Sequence, residues 1–243
     1  MNEKLKSEIL NASGCSGEAI VGGCLTFLAL SSLLILLTWV GFISFPTSSM
    51  LYHNNESFLR DKCQRQMREI AFALDLYHRE HGEFPPAFTT DEYGTLLHSW
   101  RVQILPYLQD KAYLDIYKKI RLDEPWNSKW NQQFHVISGL TPVFNCPTSM
   151  ESTGGTTTYY MVIDDAGRVV PESGILFAER EIKRDKQYNW MNPNYEIRFE
   201  DIKEGVNSNP NGITSDHDYM RLGNPGANIC TFNFEIKWIP NNP

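Results

Sequence analysis

The sequence contains no C-x-x-C pair, no G-x-S-x-G turn, no H-E-x-x-H helix and no basic cluster of the size a nucleic acid requires. Each absence removes a class. Without C-x-x-C, zinc knuckles and thioredoxin-like redox chemistry lose their usual signature. Without a nucleophile elbow, an imidazole between carboxylates has no partner with which to complete a hydrolytic triad. Lys and Arg number 22 against 29 Asp and Glu, a net charge of -7. A nucleic-acid surface normally leaves a basic stripe. The one dense run of cations, Lys183, Arg184 and Lys186, is interleaved with Glu181 and Asp185 and reads as a solvated face. No internal repeat is visible.

Charge is also missing from Ile20 to Phe45, IVGGCLTFLALSSLLILLTWVGFISF, which holds no Asp, Glu, Lys, Arg or His. As a helix it would run roughly 39 Å, longer than the roughly 30 Å of a bilayer's hydrocarbon. A cleavable signal has a shorter apolar core, about 7–15 residues, and a small-residue exit, whereas this run ends in Trp39, Phe42 and Phe45. Val21-Gly22-Gly23-Cys24 imitates a lipoprotein box, but the apolar stretch follows that cysteine instead of preceding it. The expected organisation is a cytoplasmic tail over 1–19, a transmembrane helix over 20–45 and one extracytoplasmic domain over 46–243. Positive charge alone does not orient it, since Lys4 and Lys6 face Arg60, Lys62 and Arg65 across the run.

Beyond the run, Pro46 to Ser49 ends or kinks the membrane helix. Helical pattern resumes at about Glu56, with Leu59, Cys63, Met67, Ile70, Leu74 and Tyr77 forming one apolar stripe. Asn55 or Ser57 is a candidate cap, and Gly82 with Pro85 and Pro86 is the stop. Ser99 to Leu108 reads as a short helix capped by Ser99 and disturbed by Pro106, and Leu114, Ile116 and Tyr117 as a further helical turn. Thr141 to Pro147 reads as an irregular buried crossing. Strands are expected at Thr157–Ile163, Gly174–Glu179 and Asn228–Ile239, the last from the alternation of Cys230, Phe232, Phe234, Ile236 and Trp238 with polar residues. Asn207 to Pro225 reads as a long surface loop. A helix first and an antiparallel sheet afterwards gives an α+β class.

Five cysteines are present, and Cys63, Cys146 and Cys230 lie beyond the apolar run. They allow one disulfide and one remaining thiol, with the pairing open. His78 and His81 are three apart at a helix end, where two imidazoles do not reach one zinc ion as a spacing of four allows; they read as helix-end cations. Asp216-His217-Asp218 reads as a loop, and Asp164-Asp165 with Gly167 and Glu200-Asp201 lack the alternating oxygen ligands of a calcium loop. Trp100, Trp126, Trp130, Trp190 and Trp238 are suited to stacking sugars, but core packing is the commoner use. The expectation is no cofactor, no metal and no catalytic residue.

Several phrases together resemble the bacterial pseudopilin-like, prepilin-type family of unknown function called the H-X9-DG proteins, expanded in planctomycetes. They are Cys63 to Leu74, Tyr77-His78 with His81-Gly82-x-Phe84-Pro85-Pro86, His98 to Leu108, Leu122 to Ser128 and Phe144-Asn145-Cys146-Pro147. The resemblance spans most of Cys63 to Trp238. Trp100, Arg101, Pro106, Tyr107, Pro125, Trp126, Asn224 and Asn233 stand at its motif positions. Two departures are plain: no prepilin cleavage motif flanks the apolar run, and the closing His and Asp-Gly are replaced within Asn224 to Asn228 and Phe232 to Ile236.

The resemblance implies a pilin-like fold, in which one long helix, transmembrane then amphipathic, packs on an antiparallel sheet. It implies a disulfide between Cys63 and Cys146, a cytoplasmic N-terminus and a domain outside. The expected function is that of a non-enzymatic structural or assembly protein of the cell envelope. Its contacts are the membrane through Ile20–Phe45 and protein partners or its own copies, with no nucleic acid. The alternative is an extracytoplasmic module that binds or senses a glycan or peptide.

Overall fold

The computed structural model describes residues 48–136, 143–146, 155–181, 188–215 and 226–240, with side chains described from residue 60 onward. The chain divides into two units, Met1–Tyr52 and His53–Pro243. The apolar run Ile20–Phe45 lies outside the described residues. Among those described, no helix is long and apolar enough to cross a membrane.

Helix α1 spans Ser48–His81. It begins earlier than the polar residues around Glu56 imply, so Asn55 and Ser57 lie within it and not at its start. The four-and-three spacing of Cys63, Met67, Ile70 and Leu74 puts these side chains on one face, and all four are fully buried. Gly82 ends the helix at φ 78°, a backbone angle that costs glycine little, and its amide donates to the His78 carbonyl at 2.8 Å. Arg79 places positive charge on the last turn, where exposed carbonyls favour it, with His78 and His81 beside it.

A hairpin follows, β1 (Phe88–Thr90) against β2 (Leu96–Ser99). The Asp91 carboxylate organises its turn, accepting from the amides of Tyr93 and Thr95 at 2.9 and 2.7 Å. These amide bonds, that of Thr95 above all, hold the Asp91 carboxyl below its ordinary range. β2 runs directly into α2 (Trp100–Gln103) and a 3-10 turn at Leu105–Tyr107. Ser99 does not cap α2. Its hydroxyl donates to the Trp190 carbonyl at 2.8 Å, because the buried carbonyl is the nearer need. α3 (Lys111–Tyr117) is capped by Asp110, which accepts from the Ala112 amide at 2.9 Å.

The main sheet has five strands in the order β5-β3-β4-β6-β7, being β3 (Tyr159–Ile163), β4 (Ile175–Glu179), β5 (Ile197–Arg198), β6 (Gly226–Thr231) and β7 (Ile236–Pro240). Its pairs are antiparallel except β3 with β5, which are parallel, so the sheet is mixed and the class is α+β. Every residue of β3 is buried. Tyr159, Met161 and Ile163 face the cluster built on α1 with Trp100 and Phe177. Tyr160 and Val162 face a second cluster with Tyr188, Val206 and Ile213. The sheet is therefore covered on both sides, by a helix on one and by irregular chain on the other.

The stretch Asn228–Ile239 is two strands, not one. Cys230 pairs with Ile236 across a tight loop in which Phe234 takes φ 61° and donates to the Thr231 carbonyl at 3.0 Å. Cross-strand partners face the same side of a sheet. Cys230 and Ile236 are an even number of residues apart, so the alternation runs through the turn and hides it. The segment after Asn207 also differs from an open surface loop. Gly212 to Ser215 are buried, and the Thr214 amide donates to the Glu179 carbonyl at 3.2 Å at the end of β4.

Candidate functional site

The Trp-Arg pair at the start of α2 is fully buried. The Arg101 and Glu196 side chains are 0% and 1% exposed and 2.8 Å apart, Nη1 to Oε1. Trp100 Nε1 and the Met161 amide both donate to Glu196 Oε2, at 3.2 and 2.6 Å. Arg101 Nε donates to Thr157 Oγ1 and the Tyr159 carbonyl, each at 3.1 Å, and Nη2 donates to that carbonyl as well. The guanidinium lies over the Trp100 and Tyr160 rings, 4.8 and 5.0 Å from their centroids. Both carboxylate oxygens are thus satisfied, and burial removes the pair from water. The Tyr160 phenol, pushed up in pKa chiefly by burial, donates a hydrogen bond to the Thr157 carbonyl at 2.7 Å. This constellation holds charge but offers no nucleophile. Its chemistry is that of a clamp joining α2, β3 and the chain before β5.

Cys63 and Cys146 form a disulfide across 83 residues, joining the buried face of α1 to the crossing at 143–146. The crossing is fixed on the sheet side too, where the Cys146 amide donates to Thr158 Oγ1 at 2.7 Å. Cys230 is a free, buried thiol, pushed up to about 12 by burial alone.

Pro106 stands in the 3-10 turn that brings Tyr107 back onto the end of α1. There the Tyr107 hydroxyl meets His81 Nε2 at 3.0 Å, and its ring lies 5.6 Å from Tyr77. Burial, with Glu80 beside it, pushes the Tyr107 phenol up to about 12. His78 stacks on Phe84 with centroids 4.6 Å apart. Among the described residues neither histidine belongs to a group of three potential metal ligands.

Pro125 and Trp126 sit in a loop built around Asn131, a residue sequence reasoning passed over. Its Nδ2 donates to the carbonyls of Arg121, Glu124 and Pro125 at 2.9, 3.2 and 3.1 Å, while its Oδ1 accepts from the Arg121 amide at 3.0 Å. The Trp126 amide donates to the Leu97 carbonyl at 2.7 Å and its ring stacks on His135 at 5.1 Å. His98, fully buried, sets Nε2 3.2 Å from the Arg121 carbonyl, and burial lowers its pKa.

Of the other candidates, Asp164 caps a turn through the Ala166 and Arg168 amides, both 2.9 Å. Glu200 pairs with Lys203 at 2.6 Å, and Asp201 accepts from Asn209 at 3.0 Å. Trp100 and Trp190 are core, Trp126 and Trp238 are half-buried, and Trp130 is exposed beneath Arg121 at 4.2 Å. Asn233 is exposed at the tip of the β6–β7 hairpin. Asn224 and Asp216-His217-Asp218 lie outside the described residues.

Glu196, Glu179, Asn131 and Asn228 carry much of the buried polar structure and were not singled out from the sequence. Each is a single polar residue with no spacing that announces burial.

Compared with known proteins, residues 60–211 match the family described as protein of unknown function (DUF1559). No curated protein and no solved structure matches the chain.

Proposed function

From the premise that this chain belongs to the DUF1559 family, we propose that it is a membrane-anchored, pseudopilin-like assembly protein of the cell envelope, without enzymatic activity. The anchor in this reading is Ile20–Phe45, the N-terminus is cytoplasmic and the domain extracytoplasmic. The observation that carries the reading is α1. Its inner stripe is fully buried under the sheet, while its outer face presents Phe72 at 49% exposure. A helix secured on one side, with Phe72 exposed among Asp61, Arg65, Arg68 and Arg79 on the other, offers a second copy one aromatic contact ringed by charge, with the anchor holding the copies in one plane. The disulfide supports the same use, since it fastens α1 to the domain against a lateral load.

The test is a photo-reactive phenylalanine analogue at position 72 in the full chain, irradiated in native membranes. Assembly predicts crosslinked ladders of this chain. Monomer alone sinks the assembly reading and moves the choice to the ligand-binding module.

A further inference from the structure

Glu179 ends β4 directly beside the disulfide. Both Sγ atoms of Cys63 and Cys146 and a carboxylate oxygen of Glu179 lie within 4.8 Å of one another, and all three residues are buried. The carboxylate is aimed by its neighbours. Oε2 accepts from the Asn228 amide at 2.7 Å and from Ser215 Oγ at 3.5 Å, and Oε1 accepts from Asn228 Nδ2 at 3.1 Å. Asn228 is itself fixed, because its Oδ1 accepts from Gln64 Nε2 at 2.9 Å, on the residue that follows Cys63. Partners that orient a ligand in this way are the ordinary surroundings of a protein metal site.

While the sulfurs are bonded to each other they are poor ligands. A dithiol reductant changes that by exchange. The Cys63–Cys146 bond breaks, the reductant's two sulfurs become bonded to each other, and its two protons pass to Cys63 and Cys146. Binding a divalent cation then releases both protons and leaves two thiolates with one carboxylate. Two sulfurs and an oxygen are a borderline-soft set of the kind zinc takes, and hard cations do not favour it. A tetrahedral ion with sulfur at about 2.3 Å holds its ligand atoms roughly 3.5–3.8 Å apart, within reach of side chains already this close.

We propose that, when the Cys63–Cys146 bond is reduced, these two thiolates and Glu179 form a zinc-type site. The tie between α1 and the 143–146 crossing is then a covalent bond in the oxidised protein and a metal bridge in the reduced one. Cys230 takes no part. It stands outside the group, and its Sγ faces the Thr231 carbonyl at 3.5 Å.

The full chain, reduced with dithiothreitol and exchanged into anaerobic buffer, is titrated with Co²⁺ while sulfur-to-cobalt charge-transfer absorption and circular dichroism are followed. The expected result is one equivalent bound by wild type and by Cys230→Ser, displaced by Zn²⁺, with none bound by the oxidised protein. Glu179→Gln weakens binding by about tenfold or more, as loss of a ligand or its support does elsewhere. Cys146→Ser lowers the charge-transfer intensity and decides the question if Glu179→Gln does not fold. The proposal is overturned by absence of charge transfer in the reduced chain, by unchanged affinity in both variants, or by a reduced chain that stays unfolded with and without cobalt.

Discussion

At the scale of single residues, the molecule depends on a few buried polar groups whose partners are complete. Removing one member of the Arg101–Glu196 pair leaves the other charged and out of water, a change that typically costs about 3–5 kcal/mol. Arg101→Ala is expected to lower the unfolding free energy by that amount in urea titration. Arg101→Met with Glu196→Leu together should cost much less than the sum of the two single changes, because neither stranded charge remains. His98 gives a prediction with a sign. Burial lowers its folded pKa below the ordinary 6.5, against smaller opposing effects of the Arg121 and Glu124 carbonyls. Below pH 6.5 the unfolded chain takes up the proton first, so stability falls as pH drops from 6.5 toward the folded value, and the contribution is constant above it. Unfolding measured across pH 4–8 should show a shallower acid slope in His98→Gln than in wild type. An equal slope in the two proteins would show that other groups carry the acid sensitivity.

At the scale of elements, what was legible followed from periodicity and what was missed followed from contact. The buried stripe of α1 leaves regular spacing in the chain, Gly82 a stop signal, and β3 and β4 short apolar runs. The β1–β2 hairpin, with strands of 3 and 4 residues, is too short to leave any. The β6–β7 turn is hidden by parity, and Phe234 occupies a left-handed angle that a bulky side chain reaches at a cost of roughly 1–2 kcal/mol. Gly226 opens β6 for a reason no pattern carries. A Cβ there would stand 2.3 Å from the Ile239 carbonyl and 2.8 Å from the Trp238 ring, so backbone must give way. Gly226→Ala is expected to destabilise by about 1–3 kcal/mol, as overpacking does elsewhere, and to raise amide exchange in β7. Unchanged stability would mean that the hairpin edge yields freely.

At the scale of the whole molecule, the clamp ties α2 to the sheet, while the disulfide and the α1 stripe tie α1 to the 143–146 crossing and to the core beneath that sheet. The disulfide closes a long loop, and chain-entropy reasoning for a separation of 83 residues gives roughly 4–5 kcal/mol of stabilisation. Cys63→Ser should therefore lower the melting temperature strongly while leaving Phe72 exposed. The assembly reading makes the complementary prediction. Phe72→Glu alters a side chain that lies outside the buried core, so its thermal unfolding should stay close to wild type, within about 0.5 kcal/mol. If copies pack through the outer face of α1, the same variant puts a charge into that interface, where burying it unpaired is costly. Chemically crosslinked ladders in native membranes should then disappear from Phe72→Glu and persist in Tyr93→Glu, which alters a side chain 85% exposed away from the helix. Equal ladders from both variants would place the contact elsewhere on the chain. The comparison separates a helix that only supports its own domain from one that also joins it to another.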